Sequence, residues 1–237
     1  MITGYNFPEG VQYKLRYSIG LDFYDSSFKP SPNILGTPNM KYRFAYQPIA
    51  TIKLWDTSNV TDMSYMFTSC TELITIPQLD TSNVTDMNQM FYNCVSLTTI
   101  PQLDTSKVTD MSYMFYSCTS LTSIPLLDCS SIRVGSYGIF SYHTLSSLTD
   151  IGGFKNLKAS WTKYFLDRVP NATVESLMNV INNLWDWTDY PNGKVTNPDG
   201  VEVNYGTTHR LSFGVTNLNK LTAEQKAVAT NKGWTLT

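Results

Sequence analysis

The chain is predicted to be an α/β, right-handed solenoid: stacked copies of one strand-and-turn unit with a cap at each end. Three observations predict it. A 24-residue unit recurs from Asp56, Asp80 and Asp104, reading D-T-S-N-V-T-D-M-S-Y-M-F-T-S-C-T-E-L-I-T-I-P-Q-L in its first copy. Each copy joins an apolar triplet spaced i, i+3, i+4 to a short β-favouring run, so its period switches from helical to strand. The flanking segments do not repeat cleanly, as terminal units of a stacked array must not. A period of 20 to 50 residues signals units that cannot bury their apolar face alone.

The elements follow in chain order. Residues 1–48 read as an N-terminal cap, with a separate domain as the alternative. Tyr13–Ile19 alternates as a strand does, and Lys29–Pro38 holds three prolines and reads as a loop. The solenoid covers 49–152, with strands expected near 49–52, 73–76, 97–100, 121–124 and 145–148. In the middle copy, Asp80–Asn83 is turn chemistry and Val84 an apolar plug. Asp86 caps a short helical turn that points Met87, Met90 and Phe91 inward. Cys94 closes the turn, Leu97–Ile100 forms a strand and Pro101 ends it. The expected core is Leu73, Leu97, Leu121, Ile76, Ile100, Ile124, Met66, Met90, Met114, Phe67, Phe91 and Phe115.

After Cys129 the pattern decays. Ile132 takes the place of Val108, Leu145 that of Leu121 and Leu148 that of Ile124, while Gly135, Gly138 and Tyr142 stand for Met111, Met114 and Cys118. Residues 153–237 read as enlarged strand–helix capping units. Thr173 caps an amphipathic helix with Leu177, Ile181 and Leu184 on one face. Arg210–Phe213 is a strand. Thr222-Ala223-Glu224-Gln225 is a capping box, Gly233 a helix stop and Trp234–Leu236 a last strand.

A strand, a turn and a return in 24 residues is leucine-rich-repeat geometry. The consensus L-D-T-S-x-V-T-D-M-x-x-M-F-x-x-C-x-S-L-T-x-I-P, over roughly 49–152, resembles the repeat of BspA-like leucine-rich-repeat surface proteins of bacteria and phages. The tail, from Glu175–Leu184 to Lys232-Gly233-Trp234-Thr235-Leu236, is similar to C-terminal segments of that family. The resemblance implies a leucine-rich-repeat solenoid that binds something at a surface, as an adhesin does.

Composition narrows the classes of function. Formal charge is −2 and charged residues are 15% of the chain, so there is no basic stripe for nucleic acid. No apolar run approaches the roughly 18 residues that span a bilayer, so no membrane insertion is expected. Met1-Ile2-Thr3-Gly4-Tyr5 lacks the basic start of a secretory signal. The expected location is therefore the cell surface, as a fragment of an exported parent, or a virion assembled without export.

Chemistry has little to stand on. His143 and His209 lack nucleophile or metal-ligand spacing, and no phosphate loop, nucleophile elbow or zinc helix is present. No enzyme activity, catalytic residue, cofactor or metal is expected. Cys70, Cys94 and Cys118 form one column and read as reduced fillers of a tight turn; a disulfide framework is the alternative. The Asp columns at 56/80/104/128 and 62/86/110 read as caps of their own turns, with a calcium row as the alternative.

Binding candidates lie on both arms. Thr75, Thr99 and Ser123 form a hydroxyl row on the sheet side, the arm that solenoid curvature would make concave and therefore the preferred binding face. Tyr65 and Tyr113 share one turn position, Tyr92 and Tyr116 another; tyrosine is a low-entropy contact residue. The function expected is a non-catalytic binding or adhesion module that recognises a protein or glycan on a cell surface. The alternative is a structural component of a phage virion (tail, fibre or head decoration) whose partners are neighbouring virion proteins.

Overall fold

The computed structural model describes residues 39–52, 56–133, 138–140, 143–158, 165–196 and 202–237. The expected strand at Tyr13–Ile19, the loop at Lys29–Pro38, and Gly135 and Tyr142 lie outside the described residues.

Successive repeats bond to one another at a 24-residue offset. On the strand-like arm, the Ile74 N–H donates to the Ala50 carbonyl, Thr98 to Ile74 and Thr122 to Thr98, each at 2.9 Å. The Thr98 and Thr122 hydroxyls donate to the same Ile74 and Thr98 carbonyls at 3.1 Å. On the turn arm, the N–H groups of Met63, Tyr65, Phe67 and Ser69 donate to the carbonyls of Asp86, Asn88, Met90 and Tyr92 in the next repeat, at 2.6–3.0 Å. The intervening amides bond inside their own repeat: Met66 to Met63, Thr68 to Tyr65 and Cys70 to Phe67. This alternation satisfies the turn's backbone, as burial of its neighbours requires.

The turn therefore differs from the helical turn expected around Asp86. A helix would send each N–H back four residues and leave none for the neighbouring repeat. Here Tyr65, Ser69, Gln89, Asn93, Tyr113 and Ser117 have positive φ of 53–59°, which breaks any helix every fourth residue. A non-glycine residue held there is strained, and the rung-to-rung bonds offset that strain. The inward positions are as expected: Met87, Met90 and Phe91 are fully buried, as are Leu73, Leu97, Leu121, Phe67 and Phe115, with Ile76, Ile100 and Ile124 nearly so.

The strands are shorter than expected. The arms at 73–76 and 97–100 each carry one rung-to-rung backbone bond, because the Leu73 and Leu97 amides turn back to Cys70 and Cys94 at 3.1 Å. Pro77 and Pro101, which carry no N–H, then follow each run directly. Regular pairing begins where β1 (Ser123–Ile124) meets β3 (Asp150–Ile151), and β2 (Leu127–Asp128) meets β4 (Phe154–Lys155), both parallel.

Two register expectations are corrected. Ser123 pairs with Asp150 and Ile124 with Ile151, so the degenerate repeat is longer by three residues. Leu148, whose N–H bonds to Leu145 as Leu121's does to Cys118, takes the Leu121 position, and Ile151 takes that of Ile124. Ile132 still aligns with Val108, since Ile132 bonds to Cys129 as Val108 does to Thr105. The extra residues therefore enter between Ile132 and Leu145. The second correction is at the other end. Residues 39–47, read as part of a non-repeating cap, form another turn: Met40, Tyr42, Phe44 and Tyr46 donate to Asp62, Ser64, Met66 and Thr68.

The C-terminal residues build larger units. α1 (Val174–Asn183) follows Thr173, whose side chain caps the Ser176 N–H, and buries Leu177 and Ile181. Thr173 donates to Thr149, so α1 leaves the arm where earlier repeats run on as strand. β5 (Lys194–Thr196) and β6 (Glu202–Asn204) form an antiparallel pair. β7 (His209–Leu211) leads through α2 (Gly214–Leu218) and α3 (Ala223–Asn231) to β8 (Trp234–Leu236), which pairs with β7 in parallel. The Thr222/Gln225 capping box of α3 forms in both directions, and Gly233 stops the helix at φ 82°.

Candidate binding surface

Inside the stack, identical residues fall on one another. Phe44, Phe67, Phe91 and Phe115 form a column with centroids 5.4, 5.6 and 5.8 Å apart and rings within 13° of parallel. The cysteines form a second column. Cys70, Cys94 and Cys118 are free and buried, and each thiol donates to a carbonyl of the preceding repeat, those of Phe44, Phe67 and Phe91, at 3.0–3.1 Å. Burial pushes the Cys70 thiol up to about 12 and the other two higher still. Cys129 is also free and buried. A thiol is nucleophilic only as thiolate, so this column is packing material.

The aspartates act on their own turns. Asp56, Asp80 and Asp104 each accept the backbone N–H and the hydroxyl of the serine two residues on, at 2.6–3.1 Å. Those bonds hold their carboxyls below the usual value. Asp62, Asp86 and Asp110 accept the N–H two residues on at 2.8–2.9 Å and form parallel bridges with one another. Asp86 is half-buried, and desolvation raises its carboxyl. Among the described residues, no three His, Cys, Asp or Glu side chains gather as a metal site.

The threonine row is placed as expected. Thr75 and Thr99 are exposed and Ser123 is half-buried. The adjoining Thr98 and Thr122 hydroxyls donate along the stack to the Ile74 and Thr98 carbonyls.

The turn arm carries the tyrosines as a stripe of two columns, one holding Tyr65 and Tyr113 and the other Tyr92 and Tyr116, which meet where Tyr113 touches Tyr116. Tyr92 stacks on Tyr116 at 4.2 Å and 8°, and Tyr113 meets Tyr116 edge-on at 6.0 Å. Tyr65 accepts from the Gln89 amide at 3.1 Å. Sequence reasoning missed the start of the stripe. Tyr42 stacks on Tyr65 at 4.5 Å, with the Lys41 ammonium 5.7 Å and 5.5 Å from the two rings. Tyr42 is 48% exposed and Tyr46 71%. The signal was present as N-M-K-Y-R-F, which keeps the Met, Tyr and Phe of D-M-S-Y-M-F at a spacing of 23. At the far end His143 meets Tyr116 edge-on at 6.1 Å, with its Nδ1 2.9 Å from Ser117 Oγ. Desolvation raises Tyr65 and Tyr92, keeping both as neutral phenols.

This orientation decides what the stripe can do. Stacked rings cover each other's faces, so the stacked pairs present ring edges and hydroxyls. Between the arms, Gln78, Gln102, Asp104, Asp128 and Lys155 line a shallow groove of about 430 Å³. Gln78 and Gln102 reach across it to the Gln102 and Leu126 carbonyls at 2.6 and 2.7 Å, and Lys155 pairs with Asp128 at 3.4 Å. Its polar groups are committed to the stack.

No helix among the described residues is long and apolar enough to cross a membrane. No curated protein and no solved structure matches the chain. Residues 38–142, from the first turn of the stack into its degenerate repeat, match the family described as Mycoplasma protein of unknown function, DUF285.

Proposed function

We propose that the chain is a non-catalytic binding module of a surface protein, a solenoid of leucine-rich-repeat type that holds a protein or glycan through side chains repeated along its stack. The observation that carries this reading is the pair of tyrosine columns on the turn arm, Tyr42 stacked on Tyr65 and Tyr92 on Tyr116, with Tyr113 edge-on to Tyr116. Rungs stand ~4.8 Å apart, so an extended partner meets similar groups repeatedly and weak contacts add. A small metabolite needs a closed pocket instead. The resemblance to BspA-like repeats supports a place at a cell surface. Tyrosine edges favour the turn arm over the sheet side, where the Thr98 and Thr122 hydroxyls are already engaged.

The test is alanine substitution along each column. Tyr42, Tyr46 and Tyr92 form one set and Thr75, Thr99 and Ser123 the other. Each set is assayed on glycan arrays and host-cell extracts. Loss of binding with the tyrosine set supports the turn arm; loss with the threonine set moves the site to the sheet side. Binding unaltered by either set overturns the proposal.

A further inference from the structure

His209 is buried in the C-terminal unit, 5% exposed, among groups that offer it no charge. Its ring lies flat on Trp187, with centroids 3.7 Å apart at 3°, and tilts against Trp234 at 5.7 Å. These contacts tie four segments together. Trp187 donates its backbone N–H to the Lys232 carbonyl at the end of α3, and the Trp234 indole donates to the Trp185 carbonyl at 2.7 Å. His209 and Trp234 are register partners in the β7–β8 pair. Gly233 lets the chain pass closely, since a Cβ there would stand 3.0 Å from that of Trp187.

The imidazole Nδ1 and the Trp187 indole N–H are both buried without a hydrogen-bond partner. A neutral ring can leave Nδ1 as an unpaired acceptor. A protonated ring must place a charged N–H there, and among the described residues Nδ1 has no hydrogen-bond partner. An indole face attracts a cation, but the cost of burying an unpaired charge is the larger effect.

The described ionisable groups on the surrounding elements are exposed or engaged elsewhere: half-buried Lys232, at the end of α3, directs its ammonium to the Ile181, Asn182 and Leu184 carbonyls. β8 carries none. The 185–190 turn carries Asp186 and Asp189, both exposed, and the half-buried Tyr190; Glu202 on β6 and Arg210 on β7 are exposed, and Tyr205 touches Trp187. Asp186 is engaged with Thr188.

We propose that the C-terminal unit carries an acid-sensitive latch: neutral His209 holds Trp187 and Trp234 in one closed stack, and protonation of its ring releases β7 and β8 from the preceding units. Release uncovers Leu211 and Phe213, both buried in the closed state, and frees a strand edge that can pair with another chain. Burial alone lowers the ring from its usual 6.5 to about 4. In the unfolded cap it would protonate near 6.5. The latch is therefore intact above that pH and weakens progressively as pH falls towards 4.

The experiment is hydrogen exchange of the full chain near pH 7 and near pH 4.5, corrected for the intrinsic rate. The predicted result is that 206–213 and 232–237 lose protection at the lower pH, while 86–100 keeps it. His209→Phe keeps a stacking ring that cannot titrate, and it should hold both segments closed at both values. His143→Gln should behave as the parent does. Equal protection of the parent cap at both pH values overturns the latch, and so does acid opening that persists in His209→Phe. If His209→Phe does not fold, NMR titration of the parent imidazole decides. A transition well below that of free histidine, coincident with cap opening, supports the latch; an ordinary transition in a cap that stays closed overturns it.

Discussion

The repeats and the C-terminal unit solve one problem, stacking apolar layers in register, by different means. Between residues 56 and 133 each rung binds the next through backbone, and the same residue recurs at the same place. The Phe column and the thiol column are built this way, and Thr61, Thr85 and Thr109 add a second ladder, with the Thr85 and Thr109 hydroxyls donating to the preceding threonine's carbonyl at 3.0–3.1 Å. From residue 165 onward, backbone pairing such as β7 with β8 is supplemented by single side chains. Asn217 donates to the Leu166, Val169 and Phe213 carbonyls, and Lys220 to those of Pro170 and Ala172. Lys232 reaches the Ile181, Asn182 and Leu184 carbonyls at the end of α1, where a cation also meets the negative end of the helix dipole. Loss of one contact in the repeats is shared with neighbouring rungs. In the cap each such contact has no duplicate.

The largest test of this contrast removes residues 209–237. The deletion takes away β7, β8 and their covering helices and leaves the Val180–Leu184 face open. The truncated chain should aggregate or lose cooperative unfolding, read by light scattering and thermal melts. A monomer of unchanged stability would mean that the repeats close themselves.

Within the repeats, Phe91→Ala should come next. The ring is fully buried between Phe67 and Phe115, and truncation of a core phenylalanine costs about 3–5 kcal/mol. Denaturant unfolding measures it. A cost below about 1 kcal/mol would show that neighbouring rungs collapse into the gap.

Asn217→Ala probes the cap. It strips the amide donor from three carbonyls and should cost about 1–3 kcal/mol. Its effect should be confined to the C-terminal residues in hydrogen exchange, whereas Phe91→Ala loosens rungs on both sides. If Asn217→Ala loosens the repeats equally, the two regions are one cooperative unit.

The smallest effect belongs to Thr222→Ala. It removes the reciprocal cap of α3 and should cost about 1 kcal/mol. It sharpens the comparison by showing how far local helix stability sets cap closure.

Much of this was legible in the sequence, for a physical reason. The core columns follow from composition at a fixed period, and α1 and α3 follow from caps that act over three residues. What escaped depends on non-local bonds. The i, i+3, i+4 triplet suits a helix, yet it equally suits a turn whose every second amide is claimed by the next rung. Tyr65, Gln89 and Tyr113 announce nothing of a positive φ, because neighbours rather than glycine stabilise it. The turn at 39–47 was hidden by its 23-residue spacing and the loss of cysteine, Gln47 standing where Cys70 does. The three-residue shift before β3 was hidden because Leu145 and Leu148 are both apolar and fit either register. At the surface, the candidate tyrosines could be placed in columns, but not their stacking, which turns edges rather than faces outward. Tyr42 and Tyr46 went with the unrecognised turn. The meeting of His209 with Trp187 depends on a parallel pairing that no local pattern encodes.

The insertion between Ile132 and Leu145 also bears on how such a molecule changes over time. Three extra residues lie between Ile132 and Leu145, while Thr149 still bonds to Thr122 on the strand-like arm. A whole rung is an even simpler change, since each regular rung presents to its successor the same bonds it accepts from its predecessor. Duplication or loss of 24 residues leaves every remaining junction as it was and alters reach by ~4.8 Å. Lineages can therefore lengthen or shorten the stack in whole steps.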